Sequence, residues 1–244
     1  MFAEALESYG VTHVFGNPGT TELPILNALS ESDLNYILAL HEDVAVGMAA
    51  GYATTRRYHG HDEQSVMPLG VANLHIAPGV AHGLCNLLNA SHTGAPLLVT
   101  AGDHTFAHGQ REPNLAGDMV TMTEQFTKWS ARVQDVEALP WMLRRAVRTA
   151  LTPPTGPVFL ALPMDVASVE TGVDVEPLGD VPTAGRGDAD RIERAAAELA
   201  AADRPVFVLG DEVARGDAVP EAVALAEAVG ARVFGEFKLS EVAF

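Results

Sequence analysis

A chain of 244 residues, 48% of them hydrophobic, can bury the core of one large or two medium domains. Its formal charge of −17, from 32 acidic against 15 basic residues, excludes a nucleic-acid-binding face, which needs clustered lysine and arginine. The single cysteine excludes an internal disulfide or a multi-cysteine metal site. The lack of an apolar span or basic leader predicts a soluble cytoplasmic protein with no membrane partner.

In chain order, Phe2 to Tyr9 is a short helix stopped by Gly10, and Val11 to Phe15 a strand. Gly16-Asn17-Pro18-Gly19-Thr20-Thr21-Glu22 is a tight loop, with Thr20 or Thr21 as the expected cap of a helix over 23–29. A strand over 35–40 runs into a helix that begins near Glu42. On it Val44, Gly47, Met48, Gly51, Tyr52 and Thr55 share one face at helical spacing, and its two glycines and several alanines predict close approach of another backbone. Tyr58 to Gln64 is a polar loop, where His59 and His61 lack the company a metal site needs. A strand from Val66 leads to Asn73-Leu74-His75-Ile76-Ala77-Pro78-Gly79, followed by a helix over 80–91 that carries Cys85 as a small buried hydrophobe. Pro96 to Ala101 is a buried strand, and 102–119 a long polar loop of the kind that is commonly functional. Residues 123–130 turn helical and then extended, 139–151 form an amphipathic helix, and 157–162 a final strand.

Strand–helix alternation with short apolar strands predicts an α/β fold, a parallel sheet with helices on both faces, over residues 1–166. The Gly-, Pro- and Asp-rich stretch 167–188 reads as a linker. Residues 189–244 read as the start of an incomplete, Rossmann-like α/β domain, with too few elements to cover both faces of a sheet, so the chain is expected to be part of something larger.

Three strand-end loops could converge at the carboxyl edge of such a sheet: 16–21, Glu42 and 75–79. Singly, each has a plain alternative. Glu42 in a first helical turn complements the helix dipole, and a lone His75 is often a hydrogen-bonded structural residue. Dinucleotide and P-loop glycine fingerprints and a G-x-S-x-G elbow are absent from the sequence, so a sirtuin-like nucleotide site or a hydrolase triad has no carrier.

Taken in order, Gly16-Asn17-Pro18-Gly19-Thr20-Thr21-Glu22-Leu23-Pro24, His41-Glu42 with Gly47 and Gly51-Tyr52-Ala53, Asn73-Leu74-His75-x-Ala77-x-Gly79 and Pro96-Leu97-Leu98-Val99-Thr100-Ala101-Gly102 resemble the pyrimidine-binding domain of thiamine-diphosphate-dependent decarboxylases and acetolactate synthases. Lys128-Trp129-Ser130 and the run from Gly156 to Val166 continue the resemblance, and a weaker one extends into the central domain. The Asn-Leu-His wording is similar to the benzoylformate decarboxylase group.

The resemblance implies thiamine diphosphate as cofactor, a small 2-oxo acid as substrate and a homodimeric or homotetrameric parent enzyme. It makes Glu42 the carboxylate that hydrogen-bonds N1′ of the aminopyrimidine and so helps deprotonate the thiazolium carbon. Asn17, Pro18 and Gly19 then back the pyrimidine, His75 moves protons over the reacting carbon, and Thr20 stands at a substrate position where the benzoylformate decarboxylase type carries serine. No metal ligand is expected in this chain. The family holds the diphosphate through Mg²⁺ in a C-terminal domain whose Gly-Asp-Gly…Asn motif is matched by neither Gly102-Asp103-His104 nor Gly210-Asp211-Glu212. Half a site, inactive alone, is the expectation; an acetolactate synthase-like carboligase fragment and a non-catalytic interaction module are the alternatives.

Overall fold

The computed structural model describes residues 1–59, 67–181, 185–237 and 239, with side chains omitted for 58 and 59. The chain divides into two compact units, Met1–Pro182 and Thr183–Phe244.

The first unit alternates helix and strand: α1 (Phe2–Ser8), β1 (His13–Asn17), a 3₁₀ turn (Thr20–Glu22), α2 (Leu23–Ser30), β2 (Asn35–Leu38), α3 (Glu42–His59), β3 (Gly70–Leu74), α4 (Ile76–Thr93) and β4 (Leu97–Asp103). It continues through α5 (Phe106–Gly109), α6 (Met119–Glu124), β5 (Trp129–Arg132), α7 (Leu139–Leu151), β6 (Val158–Pro163) and α8 (Met164–Ala167). The strands form one sheet of order β2-β1-β3-β4-β6-β5, every pair parallel. Side chains of a strand point alternately to opposite faces, and here both faces are covered. Val14, Val71, Leu98, Val158 and Leu160 pack with α1, α2 and α7. Phe15, Ala72, Leu97, Val99, Phe159 and Ala161 pack with α3, α4 and α6 on the other side. Strands buried twice need apolar residues at successive positions, which is why β3, β4 and β6 are buried throughout.

Four sequence expectations are corrected. The buried face of α3 is Ala45, Val46, Ala49 and Ala53, whereas Val44 and Met48 are exposed and a Cβ at Gly51 would touch nothing within 4 Å. Small alanines seat α3 close to β3, where a Cβ at Gly70 would stand 2.2 Å from the Ala49 carbonyl. Helix α4 starts at Ile76, because Pro78 and Gly79 sit in its first turn, where proline's missing N–H is not needed. Cys85 is exposed, since α4 buries Gly83, Leu87 and Ala90 on the opposite side. Neither threonine caps α2; its N-cap is Glu22. Helix α3 runs on through His59, two residues into the expected loop that starts at Tyr58, while His61 and the expected strand start at Val66 lie outside the described residues.

After α8 the chain is hydrogen-bonded back onto α7: Arg144 Nε donates to the Pro177 carbonyl at 2.8 Å, and Arg148 Nη1 to those of Leu178 (2.9 Å) and Asp180 (2.6 Å). The second unit contains α9 (Ala189–Ala201), β7 (Val206–Leu209), α10 (Glu212–Arg215), α11 (Val219–Val229) and β8 (Arg232–Gly235). β7 and β8 pair in parallel, and Val206, Val208 and Phe234 are exposed, as expected of an α/β layer with two strands. Among the described residues no helix is long and apolar enough to cross a membrane.

Candidate functional site

Connections leave β1 toward β2 on one side and then pass from β2 to β3 on the other. The β1/β3 boundary is therefore the switch point, the place where open α/β sheets leave a crevice outside the strand ends. The expected loops lie on either side of it. Asn17 closes β1 and its Nδ2 donates to the Ala39 carbonyl (3.0 Å), which ties the β1 loop to the end of β2. Pro18 is half-buried, and Gly19 lies against His75: a Cβ on Gly19 would fall 2.1 Å from that ring. Glycine is required at that position by contact alone. Thr20 is exposed and lines a cleft of about 1060 Å³ with Leu23, Asn27, Leu139 and Met164. None of the other expected site residues lines that cleft.

His75 is held by a carboxylate that sequence reasoning missed. Glu22 is fully buried, and its Oε2 meets His75 Nδ1 at 2.8 Å and accepts the Gly19 N–H at 2.8 Å. Its Oε1 accepts from the Gly102 N–H (2.8 Å), the Thr21 hydroxyl (2.8 Å) and the Ile76 N–H (3.3 Å). One side chain thus fastens the ends of β1, β3 and β4 together. Its neighbourhood carries strain. Ile76 has φ +41, a left-handed backbone that is costly for a β-branched residue, and such strain persists only where surrounding bonds over-determine it. The signal available in the sequence was an acid set among small and apolar residues in Gly19-Thr20-Thr21-Glu22-Leu23-Pro24.

Glu42 opens α3, buried to 8% exposure. Its Oε2 lies 3.0 Å from Nδ1 of His82, an exposed residue of α4. Among the described residues no hydrogen-bond partner holds Oε1, which approaches α4 so closely that a Cβ on Gly79 would stand 2.8 Å from it. The two helices are locked at this level by Asn86. Its N–H donates to Asp43 Oδ1 (2.8 Å), and its Nδ2 donates to the Asp43 carbonyl and Oδ2 (both 2.9 Å). Gly79 also donates its N–H to the His75 carbonyl (2.9 Å), so the first turn of α4 links the Glu42 and His75 centres.

Two groups nearby titrate away from their ordinary values. Burial, and then the Glu22 charge, push the Tyr36 phenol far up. At the end of β4, burial raises Asp103 although the Arg132 guanidinium 2.9 Å away opposes it.

At the switch point, a buried carboxylate packed over Gly79 and an imidazole anchored by Glu22 are joined through the first turn of α4. The sequence family described as "Thiamine pyrophosphate enzyme, N-terminal TPP binding domain" matches residues 1–125, and the chain belongs to that family. Benzoylformate decarboxylase of Pseudomonas aeruginosa is 36% identical over 227 residues, 92% of this chain and 41% of that protein. Acetolactate synthase of Bacillus subtilis is 29% identical, over 90% of this chain and 37% of that protein. Among solved structures, the thiamine diphosphate-dependent 4-hydroxybenzoylformate decarboxylase of Rhodococcus jostii superposes with TM-score 0.85 at 32% identity, covering 99% of this chain and 44% of its own. Benzoylformate decarboxylase of Polynucleobacter necessarius gives TM-score 0.86 at 30% identity, with 99% and 43% covered. The chain spans about two fifths of the length of these relatives.

Proposed function

We propose that this chain supplies the pyrimidine-holding half of a cytoplasmic, homodimeric or homotetrameric thiamine-diphosphate-dependent enzyme. The enzyme decarboxylates a small 2-oxo acid in the manner of the benzoylformate decarboxylases it resembles. The observation that carries this is Glu42, a buried carboxylate at a strand-to-helix junction with Oε2 on His82 and, among the described residues, no hydrogen-bond partner on Oε1. The residues present fit the cofactor. Without a Cβ, Gly79 lets Oε1 lie against α4 without a clash, and Leu40, Val44 and Met48, close to Glu42 in the chain, are exposed apolar side chains that a flat ring could use. The diphosphate and its Mg²⁺ are assigned to a domain outside this chain.

When bound, thiamine diphosphate supplies the nucleophilic carbon and the electron sink for loss of CO₂. Glu42 would hold the cofactor ring and share a proton with it through Oε1, with His82 keeping the carboxylate from rotating. Asn17 and Gly19 fix the loop behind the ring. Glu22 holds His75 by Nδ1, leaving Nε2 to exchange a proton with the reacting substrate. The resemblance gives Thr20 a part in the fit of the 2-oxo acid, while its side chain lines the cleft beside Leu23 and Met164. The Asn73-Leu74-His75 wording favours this reading over a carboligase of the acetolactate synthase type.

The test uses the full-length gene product that contains this sequence. CO₂ release from benzoylformate and pyruvate is measured with and without thiamine diphosphate, and Glu42→Gln is expected to lower the rate by roughly 10²–10⁴-fold. An unchanged rate removes Glu42 from the mechanism. No cofactor-dependent release from any 2-oxo acid rejects the reading and favours a non-catalytic module.

A further inference from the structure

The Glu42–His82 pair has a third member. His41, one residue before Glu42, stacks on His82 with ring centroids 4.9 Å apart and planes 27° from parallel. One ligand atom each from His41, Glu42 and His82 lies within 4.8 Å of the others. Two imidazoles and a carboxylate are the donor set of three-ligand zinc sites that keep a fourth position for water. From this geometry we infer that His41, Glu42 and His82 form a binding site for a divalent transition ion of the zinc class. Occupancy of this site and use of Glu42 by a cofactor ring exclude each other. The binding stands on the three side chains alone; only the exclusion rests on the role proposed for Glu42.

The unloaded geometry is close to what an ion needs. His41 Nδ1 accepts the Asp43 N–H at 3.2 Å, so an ion held by that nitrogen takes the place of this one weak bond. Between His82 Nδ1 and Glu42 Oε2 a proton occupies a gap of 3.0 Å. Tetrahedral bonds of usual zinc length set ligand atoms about 3.4 Å apart, so the Glu42–His82 pair needs a shift of a few tenths of an ångström, while the ligand atoms, spread over up to 4.8 Å, close further by rotation of the exposed His41. Both histidines are exposed and free to adjust, whereas Glu42 is buried and fixed. The Asn86–Asp43 bonds set α4 against α3, which delivers His82 to the other two ligands. The N-terminal dipole of α3 opposes a cation, but its partial charge is smaller than the full charge of the Glu42 carboxylate. Two nitrogen donors with one oxygen favour zinc-class ions over Mg²⁺. Sequence reading expected no metal ligand here because His41 and His82 lie far apart in the chain and meet only through the α3–α4 contact.

Calorimetric titration of the 244-residue chain with Zn²⁺, and the visible spectrum of the Co²⁺ form, test the site. His41→Asn and His82→Asn are each expected to weaken one binding event at least tenfold and to remove the tetrahedral Co²⁺ bands. His108→Asn should change neither, and millimolar Mg²⁺ should not compete. Circular dichroism of each variant confirms that it is folded, and whichever of the two histidine variants folds carries the test. The inference is overturned if no Zn²⁺ binds, if both histidine substitutions leave affinity and spectrum unchanged, or if Mg²⁺ displaces the ion. No step uses thiamine diphosphate, so this experiment and the CO₂ assay can fail separately.

Discussion

Glu22 concentrates more of the site's geometry than any residue expected to be there. A fully buried carboxylate is tolerable only when its oxygens are saturated by donors, and Glu22 has five: three backbone N–H groups, a threonine hydroxyl and the His75 ring. Removing it leaves those donors buried without an acceptor and deprives the strained Ile76 of a bond that holds it. Glu22→Ala is therefore expected to destabilise the chain by about 3–5 kcal/mol, the cost of breaking a buried, hydrogen-bonded charge. In a unit of this size that lowers the melting temperature by roughly 10 °C. Denaturant unfolding of the variant checks it, and a loss below about 1 kcal/mol would deny Glu22 its place as the fastening of the three strand ends.

Between elements, the revealing contact is that of edge strand β2 with β1. Tyr36 reaches across β1 where Gly16 has no side chain; a Cβ there would stand 2.0 Å from the phenol oxygen. Among the described residues that buried hydroxyl has no hydrogen-bond partner, and burial together with the Glu22 charge raises its pKa. The sign follows. A tyrosine whose folded value lies above its unfolded value of about 10 keeps its proton in the native state while the unfolded chain loses one. Its contribution to stability is therefore full below pH 10 and declines as pH rises beyond it. Tyr36→Phe is expected to remove part of that alkaline loss and, by deleting an unpaired hydroxyl, to stabilise the chain by about 1 kcal/mol at pH 8. Urea midpoints at pH 8 and pH 10.5 measure both effects; a variant as alkali-sensitive as the parent would place the titrating group elsewhere.

The same scale explains what could be read from the sequence. Strands β4 and β6 and helix α7 carry continuous apolar runs or a clear helical period and emerge where expected, and β3 does so only from Gly70. The four-residue helices α5, α8 and α10 are too short to carry a period. The loop words that marked Asn17, Gly19, Glu42 and His75 were legible because each stands at a strand end. Glu22 and His82 were not, because their partners come from other strands and helices and exist only once the sheet has assembled.

For the whole molecule, the question is where the first unit ends. Composition turns rich in Gly, Pro and Asp after Val166, yet the segment that follows is fastened to the unit it leaves. Arg144 and Arg148 donate to three carbonyls between Pro177 and Asp180, the Tyr9 hydroxyl donates to the Glu176 carbonyl at 2.8 Å, and Val175, Leu178 and Val181 pack against the α1/α7 core. Arginine is suited to this because its planar fork serves several carbonyls at once. A chain ending at residue 181 keeps all of these contacts and a sheet covered on both faces, so it is expected to unfold in one cooperative step. Its melting temperature should match the main transition of the 244-residue chain within a few degrees. A chain ending at residue 166 exposes the apolar surface under Val175, Leu178 and Val181 and leaves the Tyr9 hydroxyl without its carbonyl. It is expected to be less stable by about 2–4 kcal/mol. Calorimetry of the two fragments decides between the boundaries. Equal stability would mean that the segment 167–181 is a passive tether, as its composition suggests, while a large deficit in the shorter chain would make it the last layer of the unit.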